Sequence, residues 1–169
     1  MFAVEGAKLR AVHTPGHSDD HMCFILEEDN AIFTGDHVVS HCSAAFEELS
    51  AWMESLRTLQ SYNCQFGYPA HGEVIQELPQ KLEYELASKE RRELRVLRAL
   101  AGIKKSLMPG NNGGVTVRQL VDSMYGTDLE SRVKEVAIEP AILQLLRKLA
   151  ADGKVAFEIR GGIRKWFAI

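Results

Sequence analysis

Three short motifs constrain this 169-residue chain more than any other feature, because each puts a metal-capable side chain where an apolar run ends. The motifs are TPGH at 14–17, TGD at 34–36 and YPAHG at 68–72. Each contains glycine or proline, which turn the backbone at the end of a strand. Imidazole and carboxylate are typical ligands of catalytic zinc, and loops at strand ends are where a rigid scaffold presents ligands. The pattern predicts His17, Asp36 and His71 as metal ligands on an α/β scaffold.

Apolar runs bounded by turn residues predict a β-rich N-terminal part. We expect strands over 9–12, 22–26, 31–34 and 65–68. Apolar residues over 46–60 repeat at helical spacing, which predicts a helix that starts after Ser43. A second, longer helix is predicted from Pro79 to about residue 107, with residues 89–93 as a solvated charged face. Its predicted apolar stripe consists of Leu82, Leu86, Leu94, Leu97 and Ala101.

A glycine- and asparagine-rich linker at 108–114 separates predicted domains at 1–107 and 115–169. In the second domain, Thr116 caps one helix and Pro140 opens another. Gly161 and Gly162 lie between two apolar runs, which indicates a β-hairpin. Helices followed by a two-stranded ribbon form a winged-helix-like pattern, so we expect a small α+β unit.

The formal charge of the chain is −3, which argues against a protein that coats nucleic acid. The charge is unevenly distributed, because residues 132–169 hold eight Lys and Arg against four Asp and Glu, a net charge of +4. Residues 1–131 therefore carry −7. The basic end is either a solvated surface or a contact for an acidic partner.

The cysteine spacing and the hydropathy of the chain predict its cellular location. The three cysteines show no CxxC spacing, so we expect a reducing compartment and no disulfide framework. No run approaches the roughly 18 apolar residues of a membrane span. The first residues lack the basic character of a signal or transit peptide. We expect a cytoplasmic protein without a membrane partner, with a mitochondrial location as the alternative.

The chain resembles the metallo-β-lactamase fold and, within it, the lactamase-B2-like group. Residues 14–22 resemble that group's third-histidine motif and residues 33–36 its bridging-aspartate motif. Residues 45–49 and 68–72 resemble the helix and final-histidine motifs that follow. The winged-helix-like tail is also typical of the group. The resemblance implies the second half of an αββα metallo-β-lactamase sandwich, followed by the winged-helix-like α+β unit.

This resemblance implies a two-zinc site in which His17 ligates the first ion, Asp36 bridges both and His71 ligates the second. Two such metals polarise a carbonyl or phosphoryl group and activate a bridging water. The group's upstream His-x-His-x-Asp-His motif has no counterpart here, so four expected ligands are missing and we expect weak zinc binding. The missing half of the sandwich also predicts an exposed apolar sheet face that is open to self-association.

The resemblance leaves three functions open. One branch of the group hydrolyses acyl thioesters on an acyl carrier protein in polyketide secondary metabolism, and the acidic overall charge favours this branch. A second branch cleaves single-stranded RNA in mitochondria. The third alternative is a truncated, catalytically inactive relative or interaction module. The histidines outside the ligand set are expected to support the site or lie on the surface. They are His13, His21, His37 and His41.

Overall fold

The computed structural model describes residues 1–41, 44–106 and 114–169, and divides the chain into two compact units, 1–88 and 89–169. The division falls inside a long helix, α2 (Leu78–Lys105). The linker predicted at 108–114 lies outside the described residues except for Gly114, so that boundary stays a prediction. In the part of the chain that is described, no helix has the length and apolar character needed to cross a membrane.

The first unit is built on a five-stranded sheet whose strands are ordered β1 to β5. The strands are β1 (Phe2–Val4), β2 (Ala7–His13), β3 (Met22–Leu26), β4 (Ala31–Gly35) and β5 (Phe66–Pro69). The first four pair antiparallel, whereas β5 pairs parallel with β4 after a crossover through helix α1 (Leu49–Ser61). A parallel pair requires such a long connection. All four predicted strands are confirmed.

The sheet buries one set of alternating side chains and exposes part of the other. Ile25 and Ile32 are cross-strand partners and both are buried. On the opposite face, Phe33 pairs with Phe24 on one side and with Tyr68 on the other, and remains 42% exposed. The apolar face expected to be open is therefore partly exposed to solvent, and self-association through it stays a prediction.

Helix α1 begins at Leu49, later than predicted from Ser43, which lies outside the described residues. The reason is a cap that the apolar pattern does not reveal. The Glu48 carboxylate accepts hydrogen bonds from the amides of Ser50 and Ala51, at 2.9 and 2.5 Å. The predicted apolar face is confirmed within the helix. Its buried members are Leu49, Trp52, Met53, Leu56 and Leu59.

The β2–β3 loop is held against the start of α1. The Gly16 carbonyl accepts hydrogen bonds from the amides of Glu47 and Glu48, at 2.8 and 3.2 Å. The Ser55 hydroxyl donates to the Pro15 carbonyl at 2.8 Å. Gly16 has a φ of +126°, and a Cβ at this position would lie 2.3–2.6 Å from the N, Cα and Cβ atoms of Trp52. Only glycine allows the loop to approach the helix this closely.

Helix α2 has the predicted length, but its predicted apolar stripe is wrong at Leu94, which is 46% exposed. The buried positions of this helix include the charged Glu85, Lys89 and Glu93 and, further on, the apolar Val96 and Leu100. The prediction of a solvated charged face over 89–93 is therefore wrong at Lys89 and Glu93. The Glu93 carboxylate lies 2.9 Å from the Lys148 ammonium. The buried face thus runs through Glu93, Val96 and Leu100, and Leu94 lies outside it. The stripe is confirmed at Leu82 and Leu86, and a count of apolar residues alone does not detect the change.

The second unit contains helices followed by a β-hairpin. The helices are α3 (Val117–Tyr125), α4 (Ser131–Val133) and α5 (Glu139–Ala151), with a π-helical turn at Lys134–Ile138, and the hairpin strands are β6 (Val155–Arg160) and β7 (Ile163–Ala168). Thr116 forms a capping box with Gln119, and Gly161 and Gly162 both have positive φ in the hairpin turn. The predicted cap and hairpin are confirmed, and the winged-helix-like assignment stays a prediction.

The Lys134 ammonium is buried in the second unit, with its side chain 3% exposed. It donates to the Asp122 carboxylate and to the carbonyls of Gly126 and Thr127. A buried ammonium is tolerated only when such partners replace water. This one side chain joins the end of α3 to the π-helical turn.

Replacement of this ammonium should destabilise the protein. We expect Lys134→Met to lower the free energy of unfolding by about 2–3 kcal/mol, because three acceptors lose their common donor. Urea unfolding followed by far-UV circular dichroism measures the change. The exposed Lys105→Met variant is the control and should retain the parent midpoint. Equal midpoints for both variants would contradict this account.

A methyl group at Gly16 should be more damaging than one at Gly6. Both glycines have positive φ, but a Cβ at Gly6 would have no atom within 4 Å. Gly6→Ala should therefore cost about 1 kcal/mol through backbone strain alone. Gly16→Ala should cost at least about 2 kcal/mol more, because loop and helix must separate. Thermal unfolding of the two variants compares these costs, and similar losses would show that the close approach is unimportant.

Candidate metal centre

The three predicted ligands meet at one edge of the sheet. Strands β2 and β4 both run antiparallel to β3, and β5 runs parallel to β4, so the carboxyl ends of β2, β4 and β5 share that edge. Asp36 lies between the two histidines. Its Oδ2 is 4.0 Å from His17 Nε2, and its Oδ1 is 3.4 Å from His71 Nε2. The structure thus brings all three residues together, while their role as metal ligands stays a prediction.

His17 is oriented by a backbone carbonyl. Its Nδ1 lies 2.8 Å from the Ala45 carbonyl oxygen, which can only accept a hydrogen bond, so Nδ1 carries the proton. The neutral ring then has its lone pair on Nε2, the atom that faces Asp36. This arrangement, in which one ring nitrogen donates to a carbonyl and the other is free to ligate, is usual for metal-binding histidines.

The chain segments that carry Asp36 and His71 are joined by backbone contacts. The Ala70 amide donates to the Gly35 carbonyl at 3.0 Å, which ties the residue before His71 to the residue before Asp36. His71 itself is the most exposed of the three predicted ligands, with 74% of its side chain accessible. The carboxylate is therefore held on the sheet edge, while the second histidine faces solvent.

His21 lies beside the predicted ligands. Its ring centroid is 5.8 Å from that of His17, and its Nδ1 is 2.9 Å from the Thr14 hydroxyl oxygen. Burial, and then the neighbouring His17 imidazole, lower the pKa of His21. A Cβ on Gly35 would lie 2.8 Å from its Nε2, so glycine makes room for this ring. A supporting role for His21 at the site stays a prediction.

His37 is fully buried, so a surface position for it is wrong. Its ring lies between His21 and Trp52, with centroid distances of 5.3 and 5.8 Å. Among the described residues neither ring nitrogen has a hydrogen-bond partner. Burial, and then His21, lower the pKa of His37 to about 4, which keeps the ring neutral. In the sequence, the two apolar residues that follow it, Val38 and Val39, are the signal of an internal position, and both are buried.

The cysteines described in the structure take no part in this centre. Cys23 and Cys64 are free thiols and both are buried. Burial raises the pKa of Cys23 to about 11, so its thiol stays protonated. Cys42 lies outside the described residues, so the expectation of no disulfide framework stays a prediction.

The donor atoms suit zinc in kind but not in number. A catalytic zinc ion normally has three protein ligands and one open position. Over the described residues, no group of three or more His, Cys, Asp or Glu side chains is placed to hold one metal ion. Each histidine instead has the Asp36 carboxylate as its neighbouring donor group, at 4.0 Å for His17 and 3.4 Å for His71. The described residues alone do not form a complete catalytic metal site.

Sequence comparison connects this arrangement with known proteins. Residues 2–71 match the family described as the metallo-beta-lactamase superfamily. A protein of Aspergillus fumigatus named atrochrysone carboxyl ACP thioesterase is 58% identical over 171 residues, which cover 99% of this chain and 41% of the relative. A lactamase-like protein of Pestalotiopsis fici is 57% identical over 169 residues, covering 100% of this chain and 53% of the relative. The chain thus spans about half the length of these curated relatives.

Structural comparison gives the same fold. A beta-lactamase domain protein from Burkholderia ambifaria superposes with a TM-score of 0.77 at 19% identity, covering 97% of this chain and 49% of the other. A metallo-beta-lactamase family protein from Thermus thermophilus gives a TM-score of 0.68 at 24% identity, covering 99% and 52%. The chain belongs to the metallo-β-lactamase superfamily and has the fold of about half of such a protein.

Proposed function

We propose that this chain provides part of a metal-dependent hydrolase that cleaves acyl thioesters held on an acyl carrier protein. The observation that carries the proposal is the placement of Asp36 between His17 and His71 at the sheet edge. The names of the similar proteins supply the substrate class, because relatives at 52–58% identity are named as carrier-protein thioesterases. RNA cleavage, the other activity considered from the sequence, has no support from these names.

Zinc is the metal that we propose for this centre. Two imidazoles and a carboxylate are ligands that zinc accepts, and the Ala45 carbonyl already orients His17 for ligation. We assign no reaction step to a metal held by this chain alone, because its described residues contain no group of three or more ligands placed to hold one ion. The same shortage favours a second candidate, a catalytically inactive relative that retains the fold.

Zinc binding by the chain should be weak. We expect fewer than about two zinc ions per chain after dialysis against a mild chelator, because two ligands hold zinc less firmly than three. His71→Ala should weaken the residual affinity about tenfold or more, since one position is left with Asp36 alone. Metal analysis and competition with a fluorescent zinc chelator measure both quantities.

The control for this experiment is His13→Ala, which removes an exposed imidazole that contacts the Asp19 carbonyl. That variant should bind zinc as the parent chain does. Retention of close to two zinc ions by the parent would contradict the two-ligand description. Unchanged binding by His71→Ala would reject His71 as a ligand.

A chimera tests the proposed reaction. The aligned segment of the Aspergillus fumigatus relative is replaced by this chain, and release of free acid from an acyl thioester on a carrier protein is measured. We expect the chimera to be active, and Asp36→Asn within it to reduce kcat/KM about 100-fold or more, because the neutral amide is a poor metal bridge. His13→Ala is again the matched control. A folded but inactive chimera would favour the inactive alternative.

A further inference from the structure

The two compact units carry opposite charge. Residues 1–88 contain four Lys and Arg against 14 Asp and Glu, a formal charge of −10. Residues 89–169 contain 16 Lys and Arg against nine Asp and Glu, a formal charge of +7. The structural division therefore reveals a much larger separation than the small net charge of the chain suggests. A unit of this charge attracts acidic molecules.

Part of the positive charge in the second unit is already neutralised by internal ion pairs. Arg118 lies 2.8 Å from Glu139, and Lys148 lies 2.9 Å from Glu93 and 2.8 Å from Asp152. Lys134 is likewise paired with Asp122 inside the unit. These cations stabilise the fold and are poorly placed to contact another molecule.

A different set of cations lies on one exposed face of helix α2. Arg91, Arg95 and Arg98 are spaced by four and three residues, so they share a helix face, and Lys105 continues it two turns further on. We call these four residues the α2 basic stripe. All four are exposed, and within the described parts of the chain none of them forms a salt bridge. The nearby Glu93 is buried against Lys148 and does not neutralise the stripe.

The stripe surrounds exposed apolar groups. Leu94, which was predicted to be buried, lies on the same face between Arg91 and Arg95 and is 46% exposed. The Arg95 guanidinium lies 5.2 Å from the centre of the Tyr125 ring, and Tyr125 is 39% exposed. Arginine and tyrosine around an apolar anchor are the side chains that dominate protein–protein binding energy. Phosphate groups of a nucleic acid would need the cations but would leave Leu94 without a partner.

We propose that the α2 basic stripe is the docking surface for the acyl carrier protein, which it binds through an acidic helix. Carboxylates spaced three or four residues apart on the partner helix can pair with the arginines on successive turns of α2. An apolar side chain of the partner between those carboxylates can then contact Leu94. This inference rests on the proposed function, because that function supplies the carrier protein as the partner. The docking proposal adds which surface of this chain binds the carrier protein and which side chains recognise it. The metal centre specifies neither.

The test compares charge-reversing substitutions within the α2 basic stripe with equal substitutions elsewhere in the same unit. The probe is a purified acidic acyl carrier protein bearing its phosphopantetheine arm, and its Kd for the full chain is measured by isothermal titration calorimetry. One variant carries Arg91→Glu, Arg95→Glu and Arg98→Glu. The matched control carries Arg132→Glu, Arg147→Glu and Arg160→Glu, exposed arginines of the same unit on other elements, so the net charge changes equally. Circular dichroism checks that both remain folded.

The stripe variant should bind the carrier protein at least about tenfold more weakly than the parent, and the control should change by less than about threefold. Leu94→Ala should weaken binding without changing its dependence on salt, since it removes an apolar contact. Equal weakening by both triple variants would overturn the proposal in favour of non-specific attraction. Loss of affinity for a labelled single-stranded RNA without loss for the carrier protein would overturn it in favour of nucleic acid.

Binding and turnover separate this proposal from the proposed function. If the stripe variant loses carrier-protein binding while the chimera hydrolyses nothing, docking stands and the proposed reaction fails. The stripe substitutions can also be placed in an active chimera. They should then raise KM for the carrier-bound thioester and leave hydrolysis of a small soluble thioester unchanged. An unchanged KM for the carrier-bound substrate would overturn the docking surface and leave the reaction intact.

Discussion

The contact between Gly16 and the start of α1 is the constraint on which the first unit depends. The Gly16 carbonyl accepts two amides that precede the helix, so one peptide group fixes both the β2–β3 loop and the helix entry. His17 follows directly, and its ring reaches the Ala45 carbonyl, which belongs to the same approach to α1. The backbone at Gly16 thus fixes where the first histidine leaves the loop, and the Ala45 carbonyl holds its ring.

Local signals in the sequence were sufficient to predict the elements that present the site. Glycine and proline marked the ends of strands, and side chains that follow parallel strands must lie at the same edge of the sheet. The sequence predicted Asp36 and His71 as ligands of one site from their motifs, and the parallel pairing of β4 with β5 explains why they meet at one edge. In the second unit, Thr116 and the pair Gly161 and Gly162 were equally informative, because caps and tight turns depend on only a few neighbouring residues.

Features that depend on distant contacts were not predictable in the same way. The Ala45 carbonyl is 28 residues from His17 in the sequence, and nothing in the local pattern indicates that they meet. Leu94 was assigned to the core because hydrophobicity was taken as a guide to burial. In the structure the buried face of α2 runs through Glu93, Val96 and Leu100, and Glu93 is paired there with Lys148. Leu94 lies beside this face and is exposed.

The charge separation bears on the partner proposed for each unit. A unit with a formal charge of −10 holds Asp36 in surroundings that favour bound cations, whereas the unit at +7 repels them and attracts carboxylates. If the positive charge were spread evenly over the chain, it would weaken metal affinity at the sheet edge and leave no surface selective for an acidic protein. The uneven distribution of charge therefore suits both the proposed metal-binding edge and the proposed docking surface on α2.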